Sequence, residues 1–202
     1  MGRANFVRED ADVRRQSLIA ACAECLADVG ARGVSVRSIC RRAGVSAGLL
    51  THYFSGIDQL ILATYRDTGA RVAAATAAAV AAAGPDPRAR LQAYVTASFR
   101  APVLDPQLLA TWLAFWSLIT SDAAMARVHG ETYADFRTGL EALLRECHGD
   151  DASERDLRLQ AVAITALVDG LWLELCLDQD GPFSVAEAEG IALDLLGGLV
   201  GA

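Results

Sequence analysis

No lysine occurs anywhere in these 202 residues; all eighteen basic side chains are arginine. A phosphate-binding loop that closes on a lysine is therefore excluded. Prolines number only five, and no stretch alternates apolar and polar residues for long, so strands have little support. The three histidines, His52, His129 and His148, are scattered, with no H-E-x-x-H or E-x-x-H pair for a metal. There is no G-x-S-x-G elbow and no carboxylate pair that spacing places in a cleft. No catalytic residue, metal ligand or cofactor is expected, and nothing supports an enzyme.

The N-terminal stretch MGRANFVREDADVRR is polar and charged, unlike a secretion signal. Residues 72–83 are apolar but too short for a bilayer, and the longer run 159–177 carries Asp169 and Glu174. Both read as soluble helices, so the expectation is a cytoplasmic protein without a membrane partner. Five cysteines, an odd number, then read as free thiols. Cys22 and Cys25 form a C-x-x-C inside a helical pattern with no second pair. Small apolar packing is one meaning and a redox or metal role the other.

What is abundant is Ala and Leu, within 53% apolar residues, and this predicts an all-α fold with a sizeable core. Net charge is −7, unevenly spread. Residues 1–56 hold eight Arg against five acids, a net of +3; residues 57–202 hold ten Arg against twenty acids, a net of −10. A basic head on an acidic body fits a DNA-binding domain attached to something else.

Residues 35–54, SVRSICRRAGVSAGLLTHYF, carry the densest signal. Val36, Ile39, Cys40 and Ala43 fall on one helical face after a capping Ser35, and Gly44 can end that helix in the left-handed conformation. Val45 would plug the turn, and Ser46 would cap a second helix with Leu50 and Phe54 inward and Ala47, Gly48, Thr51 and His52 small or polar. Helix, short turn, helix is the helix-turn-helix arrangement, whose second helix enters the DNA major groove. Spacing alone fits an ordinary helical hairpin equally well.

The run Ala43-Gly44-Val45-Ser46-Ala47-Gly48-Leu49-Leu50-Thr51-His52-Tyr53-Phe54 closely resembles the DNA-binding segment of the tetracycline-repressor (TetR) family of bacterial regulators. The resemblance implies nine helices, with a three-helix DNA-binding domain over residues 1–55 and a larger effector-binding and dimerisation domain over 56–202. It also implies a double-stranded DNA operator, a small-molecule effector, a homodimer, and a bacterial protein associated with the nucleoid. Residue by residue it points to Arg37, Thr51 and His52 as readers, Ala47 against a thymine methyl, and Ser46 and Tyr53 on phosphate. Arg41 and Arg42 are further backbone candidates, with a solvated face the alternative for Arg42. One departure stands out: where the family usually places a lysine at the start of helix four, this chain has Ile57.

Local signals extend this layout. A loose arm is expected over residues 1–9. Helix one follows over about residues 10–29, with Val13, Leu18, Ala21, Cys25 and Val29 inward. Ser55-Gly56-Ile57-Asp58 reads as a capping-box variant opening helix four. Asp86-Pro87, Asp105-Pro106, Ser121-Asp122, Ser153 and Ser184 with Glu187 mark the starts of helices five to nine. Helix eight is apolar on two sides: Leu157, Ala161, Ile164, Val168, Leu171 and Leu175 form one stripe, and Leu159, Val162, Ala166, Leu173 and Leu177 the other. One stripe can face the core and the other then needs a partner. The dimer face is expected to use Ala161, Ile164 and Val168 with Ala192, Leu195 and Leu199 of helix nine, as a four-helix bundle about a two-fold axis.

In the acidic body, Thr111-Trp112-Leu113-Ala114-Phe115-Trp116-Ser117 and Val168-Asp169-Gly170-Leu171-Trp172 resemble the C-terminal domain of the BetI-type branch of the family. Those are choline-responsive repressors of glycine-betaine synthesis genes. Aromatic faces near a carboxylate suit a quaternary ammonium. The candidate ligand residues are Trp112, Phe115, Trp116, Tyr133, Phe136, Asp169 and Trp172, with Glu131 and Glu174 as further carboxylates. Core packing is the alternative for each aromatic. A ligand-responsive dimeric regulator is the expected function; a helical ligand-binding or scaffolding protein with weakened DNA binding is the other reading.

Overall fold

The structure is a computed structural model, and it describes residues 2–149, 152–178 and 181–200. Among these residues it holds nine α-helices and one short 3-10 turn. The helices are α1 (Gly2–Gly33), α2 (Val36–Ala43), α3 (Ala47–Phe54), α4 (Ile57–Ala82), α5 (Pro87–Thr96), α6 (Pro106–Ile119), α7 (Ala123–His148), α8 (Glu154–Leu177) and α9 (Val185–Val200). The 3-10 turn, Ala97–Phe99, follows α5 directly.

The chain divides into two compact units, one made of residues 1–69 and 107–129 and the other of 70–106 and 130–202. In the first, Leu18, Cys22 and Leu26 of α1 form a core with Ile39 of α2, Leu50 of α3, Leu60 and Tyr65 of α4, and Phe115 of α6. In the second, α8 and α9 pack on each other and on the turn after α5. Leu91, Phe99, Leu140, Leu144, Leu157, Ala161 and Ala188 are buried there.

Caps set the helix starts. Ser35 and Ser38 form a reciprocal capping box at α2. Asp86 accepts from the Ala89 N–H at 3.0 Å with Pro87 at the first position of α5. Ser184 and Glu187 form the box at α9, where the Ser184 backbone N–H donates to the Glu187 carboxylate at 2.7 Å and holds that carboxyl below its ordinary pKa. Each such cap satisfies backbone donors that a helix start leaves open.

Four expectations need correction. Helix α1 begins at Gly2 instead of following an arm to residue 9; the segment has no proline, and its Arg, Ala and Glu are sound helix formers. Val13 is 67% exposed and Val29 56%, so the inward face of α1 is Leu18, Ala21, Cys22, Cys25 and Leu26. Val13 precedes the packed stretch, and Val29 sits beside the break at Gly30, whose φ of 66° interrupts the helix. Ser55 does not open α4: it closes α3 in a left-handed conformation, its N–H donating to the Thr51 carbonyl at 3.0 Å.

The fourth correction concerns the dimer face. Ala161, Ile164, Val168 and Ala192 are buried within the chain's own core, and Leu195 and Leu199 are half-buried. The outward side of α8 is the other stripe, with Leu159, Val162, Ala166 and Leu177 exposed, and α9 adds Ile191. By length and composition α8 is apolar enough to cross a bilayer; its buried stripe instead closes the core of the second unit.

Candidate DNA-reading head and ligand residues

The turn between α2 and α3 is built by three residues. Gly44 takes the left-handed conformation (φ 66°), which a Cβ would disfavour, and donates its N–H to Cys40. Val45 follows, half-buried, with its N–H also on the Cys40 carbonyl at 3.0 Å. Ser46 then caps α3 by accepting from the Leu49 N–H at 3.3 Å. Leu50 and Phe54 are buried beneath α3, and Leu49 and Tyr53 are half-buried. Ala47, Gly48, Thr51 and His52 are all exposed, so one face of α3 is small, polar and open.

On that face Thr51 donates its hydroxyl to the Ala47 carbonyl at 3.1 Å, which leaves its oxygen able to accept. The His52 ring meets Tyr53 edge-on at 5.2 Å. Arg37 is exposed in the first turn of α2, and Arg41 is exposed in its last turn. Arg42 is committed elsewhere: it donates to Asp28 at 2.5 Å and Glu24 at 3.4 Å, both on α1, and Asp28 holds its charge. That pair ties α2 to α1. The Arg15 guanidinium lies 5.1 Å from the centre of the Phe54 ring, a contact with no sequence signal.

The ligand candidates divide between the units. Trp112, Phe115 and Trp116 belong to the first, with Tyr65 and His129. Tyr65 is fully buried; its hydroxyl and His129 Nδ1 share a hydrogen bond of 2.9 Å, and its ring touches Trp112 at 5.1 Å and Phe115 at 4.9 Å. Trp112 and Phe115 are therefore core side chains. Trp116 is half-buried and stacks on Trp112, with centroids 6.4 Å apart. Tyr65 and His129 escaped the sequence reading because they lie 64 residues apart.

Tyr133, Phe136, Asp169 and Trp172 belong to the second unit. Trp172 is buried and donates its indole N–H to the Val103 carbonyl at 3.0 Å. Phe136 packs against Tyr94 at 5.0 Å, and the Tyr94 hydroxyl donates to the Phe136 carbonyl. Asp169 is the unusual group. Burial raises its carboxyl from 3.8 to about 6, although the Tyr133 hydroxyl and the Arg137 charge both favour the anion. Arg137 also lies 6.0 Å over the Tyr133 ring. Glu131 and Glu174 are exposed.

The raised pKa makes a stability prediction. Between about pH 4 and pH 6 the folded chain holds a proton on Asp169 that the unfolded chain has released, so this group's contribution falls as pH rises through that window. Asp169→Asn keeps an acceptor for Tyr133 without the charge. It should gain roughly 1–2 kcal/mol over the parent at pH 7.5 and nothing at pH 4, read by urea unfolding at both pH values. Equal behaviour of the two proteins at both pH values would refute the buried-anion account.

Cys22 and Cys25 are both buried and free, and burial pushes the Cys22 thiol up to about 11, which keeps it protonated. Among the described residues no three His, Cys, Asp or Glu gather as a metal site.

Two family profiles match successive parts of the chain. "Bacterial regulatory proteins, tetR family" matches residues 18–64, and "BetI-type transcriptional repressor, C-terminal" matches residues 87–201. The HTH-type transcriptional regulator BetI of Burkholderia ambifaria (strain MC40-6) is 33% identical over 193 residues, covering 92% of this chain and 93% of that one. Its counterpart from Burkholderia thailandensis is 34% identical over 189 residues, with 92% of each covered. Among solved structures, a putative transcriptional regulator from Pseudomonas aeruginosa PAO1 superposes with a TM-score of 0.84 at 39% identity, covering 94% of this chain and 91% of that one. A putative transcriptional regulator from Saccharomonospora viridis, solved in complex with choline, shares the fold with a TM-score of 0.74 at 20% identity, covering 90% and 94%.

Proposed function

This chain belongs to the TetR family of bacterial regulators, with a BetI-type C-terminal domain, and on that premise we propose how its residues divide the work. Residues 1–55 read a palindromic operator, residues 56–202 carry the dimer contacts and the effector site, and effector binding releases the DNA. The protein works in the cytoplasm, at the nucleoid.

The observation that carries this reading is the open face of α3. Ala47, Gly48, Thr51 and His52 are exposed on a helix whose other side is anchored by buried Leu50 and Phe54, within a net-positive head. Thr51 and His52 read base edges, Ala47 meets a thymine methyl, Ser46 and Tyr53 hold phosphate, and Arg37 bonds a guanine edge or the backbone. Ile57, half-buried at the start of α4, leaves phosphate binding to arginines. Two heads related by a two-fold axis reach half-sites ~34 Å apart.

Capture of sheared genomic DNA on the purified protein, sequenced after a moderate-salt wash, should enrich one palindrome. On that operator Arg37→Ala should weaken binding about tenfold and flatten the salt dependence by about one ion. Absence of any enriched palindrome from a confirmed dimer would favour the other reading, a helical ligand-binding protein whose head has lost DNA.

For the effector we propose a small amine of the choline class. Its support is chemical: within the second unit the Asp169 carboxylate beside Tyr133 suits a quaternary ammonium. Trp112, Phe115 and Trp116 of the first unit and Phe136 and Trp172 of the second are the remaining candidates. A coupling of ~1–3 kcal/mol between effector and operator suffices.

A further inference from the structure

Between residues 13 and 56 the chain has only two acids, Glu24 and Asp28, against six arginines, at 14, 15, 32, 37, 41 and 42. Both acids lie on α1, one turn apart, and both are held by the same arginine. Arg42 donates from one guanidinium nitrogen to Asp28 at 2.5 Å and from the other to Glu24 at 3.4 Å. Nothing in α1 itself calls for these carboxylates. Asp28 stands in the last turn before the break at Gly30, where the helix dipole disfavours an anion, and aspartate is a poor helix former. On a domain that approaches phosphates, each acid also repels the duplex. Arg42 itself stands two residues before Gly44, whose left-handed backbone ends α2 and starts the turn into α3.

We propose that Arg42 is a positioning residue for operator recognition: clasped by Glu24 and Asp28, it fixes the end of α2 against α1, and so the direction of α3, and it does not bind phosphate. The inference rests on the preceding reading, in which α3 reads base edges. The two acids act in two ways. One planar fork holding two carboxylates a turn apart restrains the rotation of α2 as well as its distance from α1. The acids also occupy a cation that, left free, would hold the phosphate of any duplex, a contact that carries no sequence information. Specificity gains from both, through the aim of α3 and through the loss of indiscriminate attraction.

The test compares the full-length protein, Arg42→Ala, and the double variant Glu24→Gln with Asp28→Asn, whose amides keep the volume of the side chains they replace. Anisotropy is read over a range of salt on two duplexes, the palindrome captured from genomic DNA and a scrambled sequence, and circular dichroism confirms the fold of each protein. Arg42→Ala should bind the palindrome about fivefold more weakly with no change in salt slope. The double variant should hold the scrambled duplex about fivefold more tightly, with a slope steeper by about one ion, while its preference for the palindrome falls about tenfold. A slope that flattens by about one ion in Arg42→Ala makes Arg42 a phosphate contact and overturns the inference. A double variant that tightens on both duplexes equally overturns it too, since the acids are then only charges, and so does an unchanged preference in both variants. A parent that prefers no palindrome removes the DNA-reading assignment and this inference with it.

Discussion

Val162→Glu should give a folded monomer that holds the operator ~100- to 1,000-fold more weakly than the parent. Val162 is 45% exposed on the outward stripe of α8, with Leu159 at 42% and Leu177 at 63%; Ile191 of α9 is 45% exposed. A lone chain leaves these side chains in water, and a contiguous apolar face of this kind marks an interaction surface. In a two-fold dimer the same patch appears on both copies, so one substitution introduces two charges into one interface. Each carboxylate would have to lose its water against an apolar surface. Separating the copies does not touch the reading helix, but it removes the second half-site, and linkage of two sites is worth a factor of 10² to 10⁴. Light scattering after size exclusion gives the mass, and fluorescence anisotropy on the operator gives the affinity. A variant that stays dimeric would place the interface on another face. Alanine at 161, by contrast, is already the native residue of a closed core and offers a partner nothing to touch.

That contrast shows where sequence stops being informative. Helix positions were legible because their signals are local: Ser35, Ser46, Asp86 with Pro87, and Ser184 with Glu187 each cap within three residues of themselves. Both stripes of α8 are apolar, so periodicity could not say which faces inward. That choice is made by packing on α9 and on the turn after α5, which no local pattern in α8 reports. Ser55 misled for a related reason. The same residue type can open one helix or close another, and the left-handed backbone that decides is set by how α3 meets α4. The candidate ligand residues fall in two groups because Trp112 packs on Tyr65 of α4 with Trp116 stacked on it, while Asp169 lies with Tyr133 on α7.

The residues that carry the family pattern between 43 and 54 are mostly scaffold, and Phe54→Ala tests this. Phe54 is 5% exposed at the end of α3, beneath the Arg15 guanidinium. Removing its ring empties the site where α3 meets α1, and Phe→Ala changes in cores cost 3–5 kcal/mol. Domain stabilities are only about 5–15 kcal/mol, so the reading head would be partly unfolded at ordinary temperature. Operator binding should then fall for every sequence alike, because the whole of α3 is lost and not one base contact. Arg15→Ala separates the two contributions. An exposed cation–π contact is worth about 0.5–1 kcal/mol, so this variant should remain folded and lose little stability. Circular dichroism in urea reads stability, and anisotropy against the operator and a scrambled duplex reads specificity. If Phe54→Ala unfolds like the parent yet loses only operator preference, Phe54 acts at the DNA and the division between buried anchors and exposed readers fails. If both affinities fall with stability, the open face of Ala47, Thr51 and His52 is what reads sequence, and Leu50 and Phe54 are what hold it in place.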